Sequence, residues 1–182
     1  MKCPNLRPLN QSTITVLALF WNMTQELKLR RKWAFRAHGK QVVFIKKTFE
    51  SEIHVLTKAF LWALFLPDYP DLSVEIQVGN RFKPDLVQLD DDGKPIFWGE
   101  AGRVSLKKTQ ALVHRFRSTH LVFAKWNMNL EPFQAMIKKE TGSIRRLAPV
   151  DLISIPAWSD DRFILRDGTI QIAFKNVNRV RC

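Results

Sequence analysis

Asp85 and Glu100 are the residues whose setting points most directly to chemistry. Asp85 stands in Lys83-Pro84-Asp85-Leu86-Val87 and Glu100 in Trp98-Gly99-Glu100-Ala101-Gly102, with the acidic turn Asp90-Asp91-Asp92-Gly93-Lys94 between them. The apolar runs flanking that turn, residues 81–89 and 95–100, read as two antiparallel strands. A hairpin centred near Asp91 and Gly93 sets residue 85 opposite residue 99 or 100, so both carboxylates reach one rim of a sheet. Such a pair attracts a hard cation with oxygen ligands, and Mg²⁺ or Mn²⁺ held this way keeps several waters. The Ala101 carbonyl is available as a third ligand. An ion there would polarise a phosphoryl oxygen and lower the pKa of a bound water. Without it, the like charges repel and raise the pKa of one partner. The structural alternative makes Asp85 a turn residue after Pro84 and Glu100 the polar end of a strand.

The elements that must position this pair follow from hydrophobic periodicity. Residues 13–20 read as a strand. Residues 28–38 alternate, with Leu29, Trp33, Phe35 and Ala37 set against Lys28, Arg30, Lys32 and Arg36, which is a half-buried antiparallel strand with a basic outer face. Gly39 fits a turn and residues 41–46 a further strand. Ser51 is the N-cap of a helix that runs to Leu66, is apolar nearly all round, and stops at Pro67. Residues 73–78 read as a strand, and Ile96-Phe97-Trp98 marks residues 95–100 as a strand buried on both faces. Then come an amphipathic helix over 105–116, a buried strand over 120–125, a helix over 131–140 stopped by Gly142, and a strand over 151–155. A closing hairpin pairs 162–166 with 169–175 around Asp167-Gly168. This order implies an α/β fold in one domain, residues 1–182, with helices on the faces of a mixed sheet. Residues 95–125 form its βαβ crossover.

Composition narrows the function classes. The 182 residues are 46% hydrophobic and 25% charged, with six Trp and thirteen Phe, so the chain can bury a core. The net charge of +12 favours a polyanionic partner, nucleic acid above all, through phosphate contacts and counterion release. A basic surface kept for solubility is the plainer reading. Cys3 and Cys182 make no zinc-ligand spacing and read as reduced thiols. The most apolar stretch, residues 53–66, is too short for a bilayer and holds His54 and Lys58. No secretory signal is evident, so a cytoplasmic protein without membrane contact is expected. No Gly-rich phosphate loop points to a small-molecule cofactor.

Pro84-Asp85 followed by Glu100 at the end of an apolar strand resembles the PD-(D/E)XK nuclease motif. Pro84-Asp85-Leu86, the Gly93 turn, Phe97-Trp98-Gly99-Glu100-Ala101-Gly102 and Leu106-Lys107-Lys108 are similar, more specifically, to the signature of the YaeQ family in that superfamily. The helix with Glu52, Leu56 and Trp62 and the Asp167-Gly168 turn also resemble their counterparts, so the likeness covers most of the chain. It implies a restriction endonuclease-like fold with extra N-terminal strands and a C-terminal hairpin. It also implies Asp85 and Glu100 as metal ligands and Glu52 as an auxiliary acid. The superfamily motif has a lysine two residues after the second acid. Gly102 stands there instead, and the resemblance implies a substitute lysine from the next helix. On a helical wheel Lys108 flanks the apolar face while Lys107 points away, so Lys108 is the first candidate and Lys107 the alternative, with Arg103 also in reach.

Three functions are compatible with these residues. The first is a Mg²⁺-dependent or Mn²⁺-dependent nuclease cleaving DNA or RNA through a metal-activated water. The second is a nucleic-acid-binding module on a nuclease scaffold that no longer cuts. The third is a regulatory partner of other proteins. His54, on a mostly apolar helix, reads as a core histidine. Trp126 reads as packing or as a base-stacking residue.

Overall fold

The computed structural model describes residues 32–79 and 81–182. The strand expected over 13–20 and the start of the one over 28–38 lie outside the described residues.

The alternation in the described part of that second segment forms β1 (Lys32–Ala37), antiparallel to β2 (Lys40–Ile45). Trp33, Phe35, Ala37 and Phe44 point inward, while Lys32, Ala34 and Arg36 stay exposed. Helix α1 (Glu52–Phe65) begins at Ser51, whose hydroxyl accepts from the His54 N–H at 3.2 Å. Its all-round apolar character has a direct cause. The β1–β2 hairpin covers one side and the main sheet the other, in one core that joins Trp33 and Phe35 to Phe60, Leu61, Phe65, Leu86 and Val122. Each large side chain buried there contributes about 1.5–3 kcal/mol.

The main sheet has the order β3-β4-β5-β6-β7-β8, from β3 (Ser73–Val74), β4 (Leu86–Leu89), β5 (Pro95–Ala101), β6 (His120–Trp126), β7 (Val150–Ile155) and β8 (Asn178–Arg181). Strands β5, β6 and β7 are parallel and the flanking pairs antiparallel, so this is a mixed α/β sheet. Its second face carries α2 (Leu106–Arg115) and α3 (Glu131–Thr141), which pack Leu112, Val113 and Ile137 against Trp98, Leu121, Phe123 and Leu152. Gly99 lets α1 lie close to β5, because a Cβ there would sit 2.9 Å from Leu61 Cδ2.

Three segments depart from the sequence expectation. The strand expected over 73–78 ends after Val74, because Glu75 takes a left-handed conformation (φ 51°) while donating its N–H to the Asp85 carbonyl at 3.0 Å. The strand expected over 81–89 starts only at Leu86, after Pro84, which has no N–H to give a ladder. The Asp167-Gly168 turn forms, but its flanks meet at one bridge, Ile164 with Ile170. The turn is drawn to β1 instead: the Gly168 carbonyl accepts from Arg36 N at 3.0 Å, and Ile170 N donates to the Arg36 carbonyl at 2.7 Å. A short helix, α4 (Ser159–Phe163), takes the first two residues of the first arm, and β8 is the strand that closes the sheet.

Strand β8 is held by a polar cluster two strands across from β5. Asp151, fully buried at the start of β7, accepts from His120 at 2.9 Å and from both Arg179 and Arg181. Burial opposes its ionisation, but these three partners hold its carboxyl well below the usual carboxylate range.

Candidate metal and phosphate site

The β4–β5 turn is built by Asp90, whose side chain accepts from Asp92 N at 3.1 Å and Lys94 N at 2.8 Å, with Gly93 in the left-handed conformation the turn requires (φ 76°). The resulting register pairs Leu86 with Gly99, which sets Asp85 beside Glu100 at the carboxyl end of β5. Carboxyl ends of parallel strands are where open α/β sheets place their ligand sites.

The two acids are in opposite states. Asp85 accepts from the Ala101 N–H at 2.8 Å, and its other oxygen lies 3.5 Å from His54 Nε2. Burial pushes the Asp85 carboxyl up, but the His54 and Ala101 hydrogen bonds prevail and hold it below its ordinary value. Glu100 is enclosed, its side chain 5% exposed. Burial first, and the Asp85 charge second, push it up to about 7, against the pull of Lys108 and Trp98. Lys108 Nζ lies 2.6 Å from one Glu100 oxygen and 2.7 Å from the other, and Trp98 Nε1 donates to Glu100 at 2.7 Å.

Lys108 reaches this position because Ser105 caps α2, accepting from Lys108 N at 3.2 Å, and so fixes the first turn beside β5. The ammonium also donates to the Lys83 carbonyl at 3.1 Å, joining the loop before Asp85 to Glu100. Lys107 and Arg103 are exposed. Ala101 enters the site through its N–H, as donor to Asp85.

The structure does not bring Glu52 to the pair. Among the described residues, no hydrogen bond or ion pair links Glu52 to Asp85 or Glu100. It stands in the first turn of α1, where its charge suits the helix dipole. At 100° per residue it points to the opposite side from His54. The acid that reaches the site is Glu50, just before the helix. Glu50 Oε1 lies 3.3 Å from His54 Nε2 and 2.5 Å from Lys58 Nζ, and Lys58 also bonds Glu75. A continuous polar line therefore runs Glu75, Lys58, Glu50, His54, Asp85. His54, expected as a core histidine, is instead half-buried beside Asp85. Its ring lies so close over Gly102 (φ 68°) that a Cβ there would sit 2.9 Å from Nδ1. The spacing Glu50, His54, Lys58 was the available signal, since residues four apart share a helix face. Lys125, at the end of β6, was also missed: it is buried and donates to the Gly102 carbonyl. Its signal is a lysine ending an otherwise apolar strand.

Among the described residues, no group of three or more His, Cys, Asp and Glu side chains is arranged to hold a metal ion. Two adjacent carboxylates, one ionised and one ionising near neutrality, do fit an ion that keeps most of its water, as Mg²⁺ does.

The raised Glu100 carries a stability signature. The folded state holds this proton up to about pH 7, whereas the unfolded chain releases it near 4.5. Stability from this group is therefore full below the unfolded value and falls as pH rises through that window. In thermal melts without metal, wild type is expected to lose about 1–3 kcal/mol from pH 4.5 to 8 relative to Glu100→Gln. Parallel curves for the two proteins would show that Glu100 ionises normally.

Two crystal structures share this architecture. The YaeQ protein from Xanthomonas axonopodis pv. citri superposes with a TM-score of 0.54 at 17% identity, over 82% of this chain and 93% of that one. The YaeQ protein from Pseudomonas syringae gives 0.53 at 12% identity, over 82% and 90%. At these identities the likeness is one of fold: the chain has the mixed-sheet architecture of the YaeQ proteins. No protein-family model and no curated protein matches the sequence. Among the described residues, no helix is long and apolar enough to cross a membrane.

Proposed function

We propose that this protein is a YaeQ-like member of the PD-(D/E)XK nuclease superfamily and a divalent-metal-dependent phosphodiesterase acting on nucleic acid. The observation that carries the reading is the convergence of Asp85, Glu100 and Lys108 at one strand end, with a carboxylate, a carboxyl near its pKa and an ammonium in contact or adjacent. Asp85 and Glu100 would hold Mg²⁺ or Mn²⁺. When bound, the ion would supply Lewis-acid polarisation of the phosphoryl oxygen and an acidified water. Lys108 supports charge developing on the phosphate and takes the part of the lysine that Gly102 replaces. Asp85, held by Ala101 and His54, stays ionised and oriented. The net charge of +12 supports nucleic acid as the substrate.

A second reading has its own observation. Both Glu100 oxygens are already engaged by Lys108. That suits a scaffold that binds nucleic acid without cutting. Salt-dependent binding that survives EDTA, with no cleavage in Mg²⁺ or Mn²⁺, favours it.

Calorimetric titration of Mg²⁺ and Mn²⁺ tests the main reading. Wild type is expected to bind saturably, more tightly at pH 8 than at pH 6 because Glu100 must release its proton, and the Asp85→Ala/Glu100→Ala variant not at all. Wild type that binds neither ion, even with short oligonucleotides present, sinks the enzyme reading.

A further inference from the structure

Two lysines are buried near the site, and they differ in how their charge is balanced. Lys58 is met by two carboxylates, Glu50 and Glu75. Lys125, 8% exposed, has no carboxylate within ion-pair distance among the described residues. Its Nζ donates to the Gly102 carbonyl and lies over the ring of Phe133, whose centroid is 4.8 Å away. A buried cation without a counter-ion is costly, and an incoming anion would offset that cost.

The anion's position follows from the sheet. Side chains alternate along β6, with Leu121 and Phe123 facing α2 and α3, so Lys125 continues that face. Trp98 lies on the same face of β5, and Glu100 continues it. The parallel register pairs Ala101 with Ala124, which sets Lys125 alongside Gly102, one strand from Glu100. Burial, with Arg103 adding to it, lowers the Lys125 pKa even though the Glu100 charge opposes this, and an anion beside Nζ would reverse that shift.

We propose that Lys125 is a phosphate-binding residue, donating to a non-bridging oxygen of a nucleic-acid phosphodiester held over Glu100. The proposal rests on the nuclease-scaffold reading and names a residue that binds the substrate anion there. Lys108 already donates to Glu100 and the Lys83 carbonyl, and Lys125 adds a second ammonium on the same face of the sheet.

The test is fluorescence anisotropy of a fluorescein-labelled DNA oligonucleotide, and its RNA counterpart, in EDTA over a salt series. Proteins compared are wild type, Lys125→Met, Lys125→Gln and, as a distant surface control, Lys94→Met, with melts confirming folding. Both Lys125 variants are expected to bind about tenfold more weakly, with a log–log salt slope smaller by about one, and Lys94→Met to match wild type. Glutamine keeps a donor for the Gly102 carbonyl without the charge. If Lys125→Gln binds like wild type, the lysine is only a strap on Gly102 and the proposal falls while the nucleic-acid reading stands. If wild type shows no salt-dependent binding to either oligonucleotide, both fall together.

Discussion

Lys58→Ala is expected to destabilise the protein by about 3–5 kcal/mol, because it removes the buried cation that Glu50 and Glu75 share and leaves Glu75 only its more exposed partner, Lys47. Lys58 is fully buried, and the side chains of Glu50 and Glu75 are 9% and 19% exposed. Burial opposes charge on Lys58, but Glu50 and Glu75 outweigh it and its pKa is raised. A raised lysine contributes fully below its unfolded pKa, so the whole effect is present at neutral pH. Glu75 also sits in a left-handed conformation that costs energy without a tether. Urea denaturation reads the loss. Adding Glu50→Gln and Glu75→Gln to Lys58→Met should recover much of it, since deleting a whole buried ion set is far milder than orphaning part of it. A single Lys58→Ala costing under about 1 kcal/mol would mean that water already serves both carboxylates. The consequence for function is positional. Glu50 touches both Lys58 and His54, and His54 faces Asp85, so loss of Lys58 frees the line that orients the ionised acid.

What could be read in the sequence was local, and what could not depended on distant partners. The Asp85/Glu100 pairing was legible because an Asp-rich turn ending in glycine sets its own register, and the flanking residues alternate or run apolar as strands do. The N-cap Ser51 and the core-facing residues of β1 follow from the same kind of short-range rule. Glu75 was not legible. The run Ser73 to Val78 has strand propensity, and only the bond to the Asp85 carbonyl and the pull of Lys58 turn the backbone at residue 75. Strand β8 was missed because Asn-Arg-Val-Arg looks like exposed chain until buried Asp151 draws both arginines in. The resemblance pointed to Glu52, whereas the i, i+4, i+8 spacing of Glu50, His54 and Lys58 carried the geometric information. Polar residues on an otherwise apolar helix are the ones whose partners should be sought first.

Lys108→Ala is expected to lower metal-dependent cleavage about 10²–10³-fold, the usual loss when one donor to developing oxyanion charge is removed. The effect should fall on kcat more than on KM, because Lys108 lies against Glu100 and not along the exposed surface that first meets substrate. Lys108→Arg should not restore activity. The ammonium donates to both Glu100 oxygens and to the Lys83 carbonyl in a compact cluster, and a planar guanidinium cannot reproduce that arrangement. Lys107→Ala, on the exposed side of the same turn, should leave kcat unchanged. A second readout separates this role from simple folding damage. Lys108 is the main influence drawing the Glu100 pKa down against burial and Asp85, so its removal should carry that pKa further up. The pH at which Mg²⁺ binding sets in should then rise by about one unit in Lys108→Ala. An unshifted pH dependence together with unchanged kcat would return Lys108 to the surface and leave Gly102 without a substitute.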